Sequence, residues 1–235
     1  MSNILITGGC GYIGSRVVEH LVRYTNHNLI IFDSGLFGFN SISEFMDSDR
    51  VQLIVGDIRI QEKLQKAMKD VDIVIHLAGI VGEPACIVDE NISYDINVFG
   101  TQNVLKSAKK SGVKEFLFAS SCSVYGFGNE LFFENSIPNP VDSYAEMKLA
   151  SELDIENYKE TMRISVLRFC TVFGASNRMR FDLAVNVMTA NAVVNNEIQV
   201  YGGQQERPFI HCSDIARAVE LVIKKRHIDE PYIVF

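Results

Sequence analysis

Asn3-Ile4-Leu5-Ile6-Thr7-Gly8-Gly9-Cys10-Gly11-Tyr12-Ile13-Gly14 decides how the rest of the chain is read. Asn3 to Thr7 is an apolar run with little alternation, the pattern of a strand buried on both faces of a parallel sheet. It runs into the glycine pattern TGxxGxxG, and a helix candidate follows over Ile13–Arg23. Glycines permit a tight turn and let an anion approach the backbone. The first turn of a helix adds free N–H groups and a partial positive charge. Strand, glycine turn and helix in that order predict a cradle for a pyrophosphate.

Outward from this unit, further apolar runs lie at Leu29–Asp33, Val51–Val55, Ile73–Leu77, Phe116–Ala119 and Ile164–Phe169. Helix candidates separate several of them: Gln61–Met68, Asp95–Lys110 and Asp142–Glu160. Alternating strand and helix predicts an α/β protein with a doubly wound parallel sheet. Gly112 reads as a helix stop, and Pro138 and Pro140 precede a helix start. Asp33 closes the second strand, 19 residues after Gly14. A carboxylate there suits both ribose hydroxyls of an adenosine and repels a 2′-phosphate, which favours NAD over NADP. Asp57, after the third strand, stands at another sheet edge where an adenine amino group could be read.

The alternation fades after Phe173. A helix candidate over Leu183–Asn195, a Gly202-Gly203 turn, a helix over Ser213–Lys225 and a strand-like Tyr232–Phe235 complete the chain. The expected division is a dinucleotide-binding domain over 1–172 and a small substrate region over 173–235, of which about 207–225 packs back on the first.

Composition excludes several classes. Of 235 residues, 47% are hydrophobic and 22% charged, the balance of a globular protein rather than a disordered one. Asp and Glu outnumber Lys and Arg by 29 to 22, and no basic run compensates, which argues against nucleic acid as partner. The five cysteines, Cys10, Cys86, Cys122, Cys170 and Cys212, are scattered and form no CxxC pair, so buried free thiols are expected rather than a disulfide framework or a metal cluster. With neither a signal-peptide pattern nor an apolar run of membrane-spanning length, the expected location is the cytoplasm.

Chemistry is indicated by Tyr144 and Lys148, four residues apart on a predicted helix and so on one face. An ammonium beside a phenol favours the phenolate, which is what a tyrosine base needs. Ser120-Ser121-Cys122-Ser123-Val124-Tyr125-Gly126 directly follows the fifth strand. Ligands of doubly wound sheets sit at carboxyl strand ends, so a serine hydroxyl there can meet a substrate oxygen beside the tyrosine.

The ordered set of Thr7–Gly14, Asp33, Gly56-Asp57-Ile58-Arg59, His76-Leu77-Ala78-Gly79, Asn97-Val98-Phe99-Gly100-Thr101, Ser120–Gly126, Tyr144–Lys148, Leu167-Arg168 with Val172-Phe173-Gly174, and Arg207–His211 resembles the extended short-chain dehydrogenase/reductases. Within them it resembles the NAD-dependent nucleotide-sugar epimerase/dehydratase group, which includes UDP-glucose 4-epimerase. The resemblance implies a Rossmann sheet with Ser121, Tyr144 and Lys148 as catalytic residues. NAD would be held by Gly8, Gly11, Tyr12, Ile13, Gly14, Asp33, Asp57, Ile58, Leu77, Ala78, Gly79, Asn97 and Ser120, together with Tyr144 and Lys148. Ser121, Ser123, Thr171, Asn186 and Arg207 would face the nucleotide sugar, Arg207 gripping its diphosphate; His211 would be structural. A homodimer through the helices at 95–110 and 142–160 is also implied.

Three departures refine the expectation. Cys122 and Ser123 occupy the positions of the Asp-Glu pair of the 4,6-dehydratases, so no acid is placed for dehydration. The Glu of the family's decarboxylases is likewise absent at Ser123. Thr171 replaces a usual Asn, and the chain ends early, so the C-terminal substrate domain is expected to be truncated. Epimerisation at C4 through a transient 4-keto sugar is the leading expectation. A reductase of a 4-keto nucleotide sugar is the second, and a non-catalytic NAD-binding scaffold the third.

Overall fold

A computed structural model describes residues 1–225 and 232–234. The strands β1 (Asn3–Thr7), β2 (Asn28–Asp33), β3 (Val51–Val55), β4 (Ile73–His76), β5 (Glu115–Ser121), β6 (Arg163–Phe169) and β9 (Tyr232–Val234) form one parallel sheet in the order β3-β2-β1-β4-β5-β6-β9. The order reverses between β1 and β4, which opens a crevice at their carboxyl ends. The expected doubly wound sheet is what the chain builds.

Helices cover both faces. On one side α1 (Tyr12–Tyr24) and α8 (Cys212–Lys224) bring Val17, Val18, Leu21, Ile215, Val219 and Val222 against Ile4, Ile6 and Ile31. On the other, α2 (Gln61–Ala67), α5 (Thr101–Ser111) and α6 (Ser143–Glu156) enclose Leu5, Phe32, Val74, Phe116 and Phe118. Alternate residues of one strand therefore enter two different cores, which is why β1 and β4 read as continuous apolar runs.

The helix expected over Asp95–Lys110 is broken into parts. A short α4 (Glu90–Tyr94) leads into a wide π turn over Asp95–Gly100, and only then does α5 begin. Such turns release backbone groups from the regular ladder. Here the Asn97 carbonyl accepts both the Thr101 hydroxyl at 2.6 Å and the Ser151 hydroxyl at 3.0 Å. Another correction is the end of α6 at Glu156 rather than Glu160, because a turn closed by Met162 N–H on the Tyr158 carbonyl at 3.1 Å returns the chain to β6.

Gly112 ends α5 in the left-handed region. Two short helices, α3 (Glu83–Cys86) and α4, were not legible in the sequence. Nor was a separate parallel pair, β7 (Thr171–Phe173) with β8 (Phe209–His211), which ties the segment beyond β6 to the start of α8. The last helix to place, α7 (Ala184–Asn195), buries Asn186, keeps most of its other residues half-buried and exposes its last turn. Phe235, the end of the expected final strand, lies outside the described residues.

Candidate active site

The glycine turn is built by close backbone packing. Gly8 has φ +71°, and a Cβ on it would meet the Ala78 nitrogen at 2.7 Å. A Cβ on Gly14 would stand 2.1 Å from the Gly8 carbonyl oxygen. These two glycines are required by the protein itself. Gly11 differs: its Cβ would meet only the Gly8 oxygen, at 3.1 Å, with open space beyond. It is also the N-cap of α1, with no side chain capping the helix, so the N–H groups of Tyr12, Ile13 and Gly14 face the crevice end without such an acceptor.

Asp33 stands beside this turn. One carboxylate oxygen accepts the Cys10 N–H at 3.0 Å and the other the Gly35 N–H at 2.9 Å. Each oxygen keeps a lone pair for a further donor. Across the crevice Leu77 N–H bonds the Thr7 carbonyl at 3.1 Å, which sets Leu77, Ala78 and Gly79 against the glycine turn. The open cradle at Gly11, the uncapped helix and the braced carboxylate fit a dinucleotide. Asp57 lies at the neighbouring strand end but is paired with its own neighbour: Arg59 donates to it at 2.6 Å and holds its carboxyl below the usual range. Ile58 turns its side chain into the core, leaving its backbone toward solvent-side groups.

Tyr144 and Lys148 sit near the start of α6. Asp142 caps that helix by accepting Ala145 N–H at 2.8 Å, and Glu83 of α3 accepts Tyr144 N–H at 3.1 Å. Both side chains are buried, 8% and 6% exposed. Burial pushes the Tyr144 phenol above its ordinary range, while a hydrogen bond with Ser121 and the charge of Arg180 act the other way. Lys148 donates to the Ala119 carbonyl at 2.7 Å, and its ammonium lies 5.9 Å from the Tyr144 ring centre. Burial pushes Lys148 down to about 8, opposed by Glu152. The ammonium is thus anchored near the end of β5, close to the Tyr144 ring.

Of the other expected residues, Ser121 accepts Ser123 N–H at 3.2 Å and its hydroxyl donates to the Ser123 hydroxyl at 3.0 Å. Ser120 turns inward instead, donating to Glu152 at 2.5 Å within a buried network in which Arg168 holds both Glu152 oxygens. Only the Ser120 backbone is left to line the crevice. Asn97 grips the loop after β4, its amide accepting Ile80 N–H at 2.8 Å and donating to the Ile80 carbonyl at 2.9 Å.

On the substrate side the placements are more mixed. The Asn186 amide is engaged by the protein: it accepts Gly174 N–H at 3.0 Å and donates to the Tyr12 hydroxyl at 3.1 Å and the Arg180 carbonyl at 3.0 Å. Arg207 is exposed, just before β8, and its charge reaches Cys122 beside Ser121. Thr171 is brought next to it through its N–H on the Pro208 carbonyl at 3.1 Å. His211 caps α8, accepting Ser213 N–H at 3.2 Å.

Sequence reasoning missed Arg180 and Glu83. Arg180 comes from an irregular segment and reaches the Val81 carbonyl at 3.3 Å and the field of Tyr144; no motif marks it. The cysteines also divide unexpectedly. Cys10, Cys86 and Cys212 are buried, whereas Cys122 and Cys170 are partly exposed at the mouth of the site. Among the described residues no group of three His, Cys, Asp or Glu could hold a metal, and no helix is long and apolar enough to cross a membrane.

Comparison with known proteins agrees with this geometry. A putative UDP-glucose 4-epimerase of Methanocaldococcus jannaschii is 32% identical, over 92% of this chain and 71% of its own length. The structure of a UDP-N-acetylglucosamine 4-epimerase from Methanobrevibacter ruminantium superposes with a TM-score of 0.90 at 27% identity, covering all of this chain and 76% of that one. DesIV, a dTDP-glucose 4,6-dehydratase from Streptomyces venezuelae solved with NAD bound, gives 0.89 at 25% identity, covering 99% and 74%. The model of the NAD dependent epimerase/dehydratase family matches residues 4–234, and with a doubly wound sheet and a glycine cradle at its switch point the chain belongs to that family.

Proposed function

We propose that this protein is an NAD-dependent epimerase acting at C4 of a nucleotide sugar. The observation that carries the reading is the convergence of Ser121, Tyr144 and Lys148 at the carboxyl end of β5, with Cys122 and Ser123, not carboxylic acids, flanking them. Elimination of water needs an acid for the departing hydroxyl. Oxidation and reduction at one carbon needs only a base that takes and returns one proton. The relatives named as 4-epimerases support the choice of carbon.

In this reading Gly11 and the start of α1 would hold NAD, Asp33 would take its ribose hydroxyls, and Ala78 and Gly79 would line the cradle. When bound it supplies a reversible hydride acceptor at the sugar carbon. Tyr144, as phenolate, removes the proton of the sugar hydroxyl and later returns it to the same oxygen. Ser121 orients that oxygen and stabilises the phenolate by hydrogen bonding. Lys148 places a positive charge near the phenol, which favours the phenolate over the phenol, and from its fixed seat on Ala119 it is available to a ribose hydroxyl. Arg207, Ser123 and Thr171 face the substrate, the guanidinium being matched to a diphosphate. The segment beyond 172 acts as the substrate region, and the site works in the cytoplasm. A homodimer forms through the faces of residues 95–110 and 142–160 that expose Phe99 and Leu153.

The test is to incubate the purified chain with NAD and single UDP-, dTDP-, GDP- and CDP-hexoses and to identify the sugars by chromatography. Interconversion of one C4 epimer pair without net NADH is the expected result. Appearance of a 4-keto-6-deoxy sugar, or stoichiometric NADH consumption, would overturn it.

A further inference from the structure

Ser121 and Phe169 are partners in the β5–β6 ladder, at its carboxyl end. Each strand is followed directly by a cysteine, Cys122 after β5, where a tight turn begins, and Cys170 after β6. Neighbouring strands lie about 4.8 Å apart, so the two strands end within the Cα separation of about 4.4–6.8 Å that a disulfide accepts. The two thiols are near enough to act on one another's ionisation, Cys170 lowering the Cys122 thiol and Cys122 raising that of Cys170. Both are partly exposed, in contrast to the three remaining cysteines. The pair sits between Ser121 and Thr171, and the charge of Arg207 reaches Cys122.

We propose that Cys122 and Cys170 form an oxidisable dithiol whose disulfide shuts the substrate end of the site. The oxidant is a low-molecular-weight disulfide. The Cys122 thiolate attacks one of its sulfurs, the S–S bond breaks, and one small thiol leaves with a proton from solvent. Cys170 then loses its proton and attacks the Cys122 sulfur, and the second small thiol leaves. Two protein thiols are oxidised by two electrons and one small disulfide is reduced to two thiols. The order of attack follows from the surroundings: the Cys170 hydrogen bond and the Arg207 charge lower the Cys122 thiol, whereas Cys170, as the donor, is raised. A link there pins the ends of β5 and β6 beside Ser121 and removes the room around Arg207. Formation of the link stands on the side-by-side ends of β5 and β6 and on the proximity and exposure of the two thiols; its effect on turnover rests on the proposed function.

The experiment treats the full chain with oxidised glutathione, alkylates the remaining thiols, digests with trypsin and reads peptides by mass spectrometry. The expected product joins residues 115–148 to residues 169–178, and titratable thiols fall from five to three. Cys170→Ser should trap a glutathione adduct on Cys122, and Cys122→Ser should give neither adduct nor link. An unchanged count of five, a link to Cys10, Cys86 or Cys212, or a lasting adduct on wild-type Cys122 would overturn the dithiol. With the epimer pair identified above, turnover should be lost on oxidation and return with dithiothreitol. A linked protein with full turnover overturns the closure, and a protein that turns over no sugar nucleotide in either state overturns the proposed function while leaving the link intact.

Discussion

The glycine turn after β1 and the segment that carries Arg207 both face the crevice, but they are built differently. The first is wedged between two strand ends, with Gly14 and Gly8 in backbone contact and Ala78 against them. The second runs through exposed residues 196–208 and is tied down by the short β7–β8 pair. The shape of the NAD cradle is dictated by the sheet. In the function proposed above, the sugar nucleotide would be met by side chains on an irregular segment, where shape can change without disturbing a core.

The largest effects should fall inside the cradle and separate its two kinds of glycine. Gly14→Ala would drive a Cβ into the Gly8 oxygen and should destabilise the fold by more than about 4 kcal/mol, measured by denaturant unfolding. Gly11→Ala meets only the Gly8 oxygen, at 3.1 Å, so unfolding should change far less, by about 1 kcal/mol, while NAD binding weakens by about tenfold or more, about 1.4 kcal/mol. Equal destabilisation by both would show that Gly11 also serves packing and would erase the contrast.

Next is Tyr144→Phe, which removes the proton acceptor but not the ring. Turnover should drop about a thousandfold with NAD still bound in a filter or fluorescence assay. Retained turnover would displace Tyr144 from the reaction. On the other side of the comparison, Arg207→Ala should raise KM about tenfold, with kcat altered far less, and should leave the unfolding midpoint in place. A drop in kcat of the Tyr144→Phe size would place Arg207 within the rigid half of the site.

The effect that is smallest at neutral pH concerns protonation. His76 is buried under the cradle between the Thr7 hydroxyl at 2.6 Å and the Thr101 hydroxyl at 2.9 Å. Burial, and then the charge of Lys148, pushes its imidazole down to about 3. Unfolded, it titrates near ~6.5. Between those values the unfolded chain holds more protons, so stability falls as pH drops from about 6.5 toward 3. His76→Gln should flatten that part of a stability–pH curve, and an unaltered slope would show that carboxylates alone carry it.

Legibility followed the same division. Strands with both faces buried, such as Ile4–Thr7 and Ile73–His76, are apolar up to a last polar residue that finds a buried partner, Thr7 with His76, so they stand out without any structure. The wide turn at Asp95–Gly100 did not, because it has the composition of an ordinary helix and is imposed by what Asn97 grips across the chain. Ser120 and Ser121 are equivalent as letters; strand alternation sends one to Glu152 and the other toward Tyr144. Asn186 could be read as a ligand contact, yet its donors and acceptor are spent on Tyr12, Arg180 and Gly174.

By itself the sequence determined the doubly wound sheet, the glycine cradle with Asp33 at its edge, and the Tyr144–Lys148 spacing, because each depends on period, local turn chemistry or position along one element. Tertiary structure alone decided that Arg180 reaches Tyr144, that Glu152 faces Lys148 and Arg168, and that Cys122 meets Cys170 across a strand end. Apart from Lys148 and Glu152, four residues apart on α6, those are contacts between residues distant in the chain. The strand register and the crossing of helices over the sheet fix them, and neither is written in any short stretch of sequence.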